Sequence, residues 1–159
     1  MTVGTKRAVK ALHLQAHRGL KQLGQEEDNV FHKLVDAEIN IIARMGLAKD
    51  LLAIKAFVER VKQQFSVTPT SEKGDLTKSP TALALGIAFI YEINNMKLPL
   101  ITWSEIKKQK LLFICYQEEY CDKIVNWAKT NGFNVSTYLG CPILKFRKLY
   151  ITLVKHQIV

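Results

Sequence analysis

Acidic side chains are missing from both ends of this chain. Residues 1–25 carry Lys6, Arg7, Lys10, Arg18 and Lys21 and no Asp or Glu. The 37 residues after Asp122 carry Lys123, Lys129, Lys145, Arg147, Lys148 and Lys155, again without an acid. The stretch between them holds 12 bases against 14 acids, so the net charge of +9 is polarised rather than spread. Ends that meet in the fold would form one positive surface suited to a polyanion.

Other absences narrow the classes further. The longest apolar run, Ala82 to Tyr91, has ten residues, about half the length that spans a bilayer, so no transmembrane segment is expected. Cys115, Cys121 and Cys141 are odd in number and lack a C-x-x-C spacing, which excludes a disulfide framework and a thiolate zinc site. A reducing setting, the cytoplasm or a host-cell interior, follows. The start interleaves lysines and histidines with its apolar residues, unlike a secretory signal. It also has no Ser and only two Arg, unlike a transit peptide. There is no G-x-S-x-G, P-loop or dinucleotide fingerprint, so the expectation is a non-enzymatic protein without a cofactor.

What is present is enough apolar content, 48% of 159 residues, for a real core. Val9, Leu12, Ala16, Leu20 and Leu23 line one face of a first helix, with Lys6, Lys10, His13, His17 and Lys21 on a neighbouring arc and Gly24 as its stop. A second helix begins near Asp28 behind Glu26 and Glu27, and ends at Gly46. In the third, Leu47, Leu51, Ile54, Val58, Val61 and Phe65 alternate steps of three and four, a stripe that reads as a bundle seam or as a docking seam for a protein partner or second copy. Residues 67–79 are rich in Thr, Ser, Pro and Gly and read as a flexible linker and protease site. Ser79-Pro80 opens a fourth helix over residues 80–95, apolar on almost every side and therefore buried.

Beyond it the texture changes. Leu111–Tyr116 has strand-forming residue types, Glu118–Asn131 reads as a helix, and Phe133–Leu139 and residues 144–154 alternate as strands around a turn at Gly140-Cys141-Pro142. The prediction is an α+β protein: a helical segment over 1–66, a linker over 67–79, and a buried helix plus a β-α-β-β sheet unit over 80–159, one compact domain overall.

The functional expectation is DNA or RNA binding through phosphate contacts from the two basic ends, with Lys6, Arg7, Lys10, Arg18, Lys21, Lys145, Lys148 and Lys155 as the cations. Alternation lets Tyr138 share a sheet face with Phe146, Lys148 and Tyr150, where aromatics stack bases and lysines hold phosphates. On the same count Arg147 shares the opposite face with Leu149, Ile151 and Leu153, partly buried. The competing structural account has the helix over 80–95 covering that face and making its aromatics core. A winged helix–turn–helix, with 118–131 as recognition helix, requires 111–116 to be helical and places Glu118 and Glu119 against phosphate. His13 and His17 have metal-sharing spacing, but no acid or cysteine in their segment completes a site. Cys115 and Cys121 read as core thiols, and Cys141 as the exposed one, within possible reach of His156. The rival class is a protein-interaction module, an adaptor, inhibitor or assembly subunit, docking through the 47–65 stripe and the basic first helix.

Overall fold

The computed structural model describes residues 2–26, 29–70, 74–90, 92–96 and 100–156. It is an α+β fold in which three N-terminal helices and three shorter ones precede or flank a four-stranded sheet. Helix α1 (Val3–Gln22) starts where the Thr2 hydroxyl accepts from the Thr5 N–H, and α2 (Val30–Arg44) starts where the Asn29 side chain accepts from Phe31. The predicted acidic start of α2 at Glu27 and Asp28 lies outside the described residues. Helix α3 (Ala48–Phe65) runs between these two and the sheet. Ala8, Leu12, Ala16, Leu20, Val35, Ile39, Ile42, Leu51, Ile54, Phe57, Val58 and Val61 from the three helices enter one core.

The 47–65 stripe is therefore turned inward. Leu47, Leu51, Ile54, Val58 and Val61 are buried in the chain's own core, and Phe65 packs on Trp127 at 6.0 Å between ring centres. This corrects the docking-seam expectation: the same periodicity serves an internal seam, because the sheet and α1 occupy the face that a partner would need.

The predicted fourth helix is also shorter than expected. Helix α4 is only Pro80–Ala84, capped by the Ser79 hydroxyl on Ala82 N–H. Gly86, at φ 76°, ends it: its N–H donates to Leu83 O, and the Ile87 N–H donates to Ala82 O, a Schellman termination. The apolar run around it concealed that stop, since burial and helix length are separate properties. Residues 80–85 are nevertheless buried, as predicted. Buried Glu38 holds this segment, accepting from the Thr81 N–H at 2.7 Å and the Trp103 indole N–H at 2.9 Å. Backbone also touches closely here, for a Cβ on Gly19 would lie 1.7 Å from the Ala84 carbonyl oxygen. Of the linker, residues 71–73 lie outside the described residues. Thr70 N–H donates to Cys115 O, and Leu76, in a 3₁₀ turn at Asp75–Lys78, is buried in the core.

After α5 (Trp103–Gln109) come β1 (Leu111–Gln117), α6 (Glu118–Thr130), β2 (Asn134–Tyr138), β3 (Cys141–Phe146) and β4 (Leu149–His156). The sheet order is β1-β4-β3-β2; β1 runs parallel to β4, and the other pairs are antiparallel. Leu111–Tyr116 is thus strand, as its residue types indicated, and this removes the helix–turn–helix reading. Helix α6 packs across the sheet with Cys121, Ile124, Val125 and Ala128 buried. Among the described residues no helix is long and apolar enough to cross a membrane.

Candidate nucleic-acid interface

The single predicted strand over 144–154 is two strands. Arg147 and Lys148 form the two-residue turn between β3 and β4, with Phe146 opposite Leu149, Lys145 opposite Tyr150 and Leu144 opposite Ile151. That turn moves the alternation out of step with the expected one. Phe146 faces the core, its ring 5.6 Å from Phe57 and 6.4 Å from Phe133, and is not on the aromatic platform. Arg147, at φ 54°, is exposed on the turn rather than partly buried on a strand face. Lys148 also belongs to the turn and not to the face of Tyr150.

The turn is anchored to the helices. Asp50, fully buried in the first turn of α3, accepts from the backbone N–H groups of Lys148 at 2.7 Å and Leu149 at 3.0 Å through one oxygen. Lys148 Nζ donates to Gly46 O at 3.2 Å. Burial pushes the Asp50 carboxyl above its usual range, although the two N–H groups and the nearby Arg147 and Lys148 charges oppose that shift.

Two adjoining depressions share Lys110 and Tyr150, one on the side of the sheet away from α6 and one at the hairpin end of the sheet. A groove of about 670 Å³ is lined by Phe113, Ser136, Tyr138, Ile143 and Tyr150, with Asp75, Gln109, Lys110 and Leu111 at one side. Tyr138 is 58% exposed and Phe113 41%, so this face is not covered by the 80–85 segment and its aromatics are not core. Tyr150 is half-buried and also lines a second cavity of about 370 Å³. There Lys107 and Lys110 from the end of α5 meet Lys145, Arg147 and Lys148 from the hairpin, against Leu47 and Leu149. Among the described residues no carboxylate lines this cavity, and Lys145 Nζ stands 5.7 Å from the centre of the Tyr150 ring. One acid among the described residues borders the groove, Asp75, which accepts from Gln109 Nε2 at 3.3 Å.

Of the predicted site residues, Tyr138, Lys145, Lys148 and Tyr150 come together here. Lys155, exposed near the far end of β4 opposite Tyr116, does not. Lys6, Arg7, Lys10, Arg18 and Lys21 are exposed on α1, which packs on α2, α3 and α4. A Cβ on Gly4 would lie 3.2 Å from Lys49 Nζ, and Lys49 is three residues beyond Gly46, the partner of Lys148. The first turn of α1 therefore sits at the hairpin's end of the molecule. Arg18 lines a separate depression with Lys55, Glu59 and Lys62, where Lys55 pairs with Glu59.

Lys107, Lys110 and Phe113 escaped the sequence reading, as did the anchoring Asp50. The signal for the first three was present in Lys107-Lys108-Gln109-Lys110 running straight into a strand. It was masked because the surrounding segment is not acid-free. Cys115 and Cys121 are buried and Cys141 exposed, as expected; the side chain of His156 lies outside the described residues. The absence of an acid beside His13 and His17 is true only of α1, since α2 brings Asp36 to both. No family model, curated protein or solved structure matches this chain.

Proposed function

We propose that the protein is a non-enzymatic accessory factor that binds single-stranded nucleic acid across the outer face of its sheet. One observation carries the reading: exposed aromatics in a groove adjoin a cavity that, among the described residues, is lined by five cations and no carboxylate. Bases stack on Phe113, Tyr138 and Tyr150, a sequence-tolerant interaction of about 1–3 kcal/mol per base. Phosphates lie among Lys107, Lys110, Lys145, Arg147 and Lys148, where clustered positive charge and condensed-ion release favour a polyanion. Lys6, Arg7 and Lys10 on α1 extend the positive surface toward a longer strand.

Fluorescence anisotropy with a short labelled oligonucleotide, titrated across a salt series, tests this. Replacing Lys107, Lys110 and Arg147 by Gln should flatten the slope of log affinity against log salt by about 2, at about 0.7 per lost contact to a single strand. Replacing Phe113 and Tyr138 by Ala should lower affinity while leaving that slope unchanged. Wild-type binding that is absent, or insensitive to salt, would remove nucleic acid as the ligand.

A further inference from the structure

Helices α1 and α2 each carry a pair of imidazole or carboxylate groups one turn apart, His13 with His17 and His32 with Asp36. Packed side by side, the helices bring all four together. His13 Nδ1 lies 3.0 Å and His17 Nε2 2.6 Å from the same oxygen of Asp36. The other nitrogen of His17, Nδ1, faces His32 Nδ1 at 2.6 Å, and His32 Nε2 faces the Gln25 carbonyl oxygen at 3.1 Å. The rings lie nearly parallel, with 9° between His13 and His17 and 4° between His17 and His32. Burial acts to raise the Asp36 carboxyl, but hydrogen bonds and charge from His17, and then from His13, outweigh it and hold its pKa below the usual value.

A count of hydrogens allows two states of this chain of contacts. The Gln25 carbonyl only accepts, so His32 Nε2 must carry a hydrogen. The contact between the two Nδ1 atoms needs one, and so does the contact between His17 Nε2 and Asp36. An imidazolium at His17 supplies both of these without a metal. A cation in place of the hydrogen between His17 and Asp36 satisfies the same contacts with both rings neutral: His17 Nδ1–H donates to His32, and His32 Nε2–H donates to Gln25. That is the outer-sphere pattern by which a metal-bound imidazole is oriented through its second nitrogen.

We propose that His13 Nδ1, His17 Nε2 and a carboxylate oxygen of Asp36 form a binding site for a divalent first-row transition ion, with zinc the reference case. Their ligand atoms lie within 4.8 Å of one another. A tetrahedral ion with bonds near 2.0–2.1 Å separates its ligands by about 3.3 Å, so the two imidazole nitrogens must settle at that spacing, within the 4.8 Å the cluster spans, and the carboxylate must move outward slightly. Asp36 can do so because its side chain is 54% exposed. Two imidazoles and one carboxylate suit zinc, cobalt or nickel rather than magnesium or calcium, which prefer all-oxygen shells. The remaining position belongs to water, since the site opens on the surface. His32 is a positioning residue: buried, it fixes the tautomer and plane of His17 without reaching the ion.

The test is calorimetric titration of the full chain with zinc chloride, alongside the visible absorption of the cobalt-loaded protein. One ion per chain is expected, with a cobalt spectrum of nitrogen and oxygen ligation and no thiolate charge-transfer band. His17→Ala and Asp36→Asn should each weaken binding at least 100-fold. His32→Gln should weaken it about 10–100-fold, as loss of an outer-sphere partner does, while Cys141→Ser should leave it unchanged. Helical circular dichroism of each variant confirms folding, and the wild-type cobalt spectrum stands even if a variant fails to fold. No saturable zinc binding, a thiolate band, or full affinity in Asp36→Asn would overturn the proposal.

Discussion

The two faces of the sheet are made by the same four strands and have opposite fates. On the inner face Leu112, Ile114, Tyr116, Leu144, Phe146, Leu149 and Ile151 are all buried, beneath α6 and against Phe57 of α3. The outer face keeps Phe113 and Tyr138 open, with Lys145 and the half-buried Tyr150 between them. Aromatic residues occur on both faces, so hydrophobic character does not separate them. What separates them is whether a helix follows with an apolar stripe to lay across the strands. Helix α6 does this once, and among the described residues no second helix of that kind covers the outer side. Part of this face is covered locally: Thr70 N–H donates to Cys115 O, the 3₁₀ turn at Asp75–Lys78 packs on β1, and Cys115 and Thr152 are buried.

The sharpest way to break this comparison is a pair of equal truncations on opposite faces. Phe146→Ala should destabilise the fold by about 3–5 kcal/mol, the usual cost of a buried aromatic. Tyr138→Ala should move stability by no more than about 0.5 kcal/mol. Urea denaturation of the two variants measures both, and similar losses would show that the outer face is also packed.

A somewhat smaller effect is expected where the hairpin meets the helices. Asp50→Ala leaves the N–H groups of Lys148 and Leu149 without their charged acceptor and should cost about 3 kcal/mol. Asp50→Asn keeps an acceptor oxygen and should cost less. The pH dependence sharpens the contrast. A carboxyl whose pKa is raised on folding binds its proton more tightly in the native state, so its contribution falls as pH rises from its ordinary value of 3.8 to the higher folded value. Asp36, whose pKa is lowered, contributes oppositely: its stabilisation is present above 3.8 and is lost as pH falls through the lower folded value. Stability measured between acid and neutral pH should therefore lose its decline just above 3.8 in Asp50→Asn and keep it in Asp36→Asn.

A smaller effect on stability than at Phe146 or Asp50, paired with an effect on binding, belongs to Tyr150. Because it is only half-buried, Tyr150→Ala should cost about 1 kcal/mol of stability, while oligonucleotide affinity should fall by about 1–3 kcal/mol. Thermal melting and anisotropy on the same sample separate the two quantities. A loss of stability comparable with that of Phe146→Ala would return Tyr150 to the core.

Helices α1, α2, α3 and α6 and most strands were legible from periodicity, whereas α4 was drawn too long and α5 was not foreseen. Leu12, Ala16 and Leu20 of α1, the inward stripe of α3 and the apolar face of α6 all repeat at the spacing of the element that carries them. Gly24, Gly46 and Asn131-Gly132 marked real helix ends, and the strand-forming types of Leu111–Tyr116 marked a real strand. The candidate site was legible only in part. Tyr138, Lys145, Lys148 and Tyr150 were identified, but Phe146 was assigned to the platform because the Arg147–Lys148 turn looks locally like continued alternation. A two-residue turn made of charged residues carries none of the usual Gly, Asn or Asp markings.

By itself the sequence determined the local quantities: which residues favour helix or strand, where apolar stripes run, where most helices stop, and that acids are excluded from both ends. Only the tertiary structure decided which stripes meet each other. It turned the α3 seam inward, ended the fourth helix at Gly86, joined Lys107 and Lys110 to the hairpin cations, and brought Asp36 and His32 to His13 and His17. The physical reason is range. Propensity and periodicity act over a few residues, whereas burial and charge clustering depend on side chains 15 to 98 positions apart, the separations of His17 from His32 and of Asp50 from Lys148.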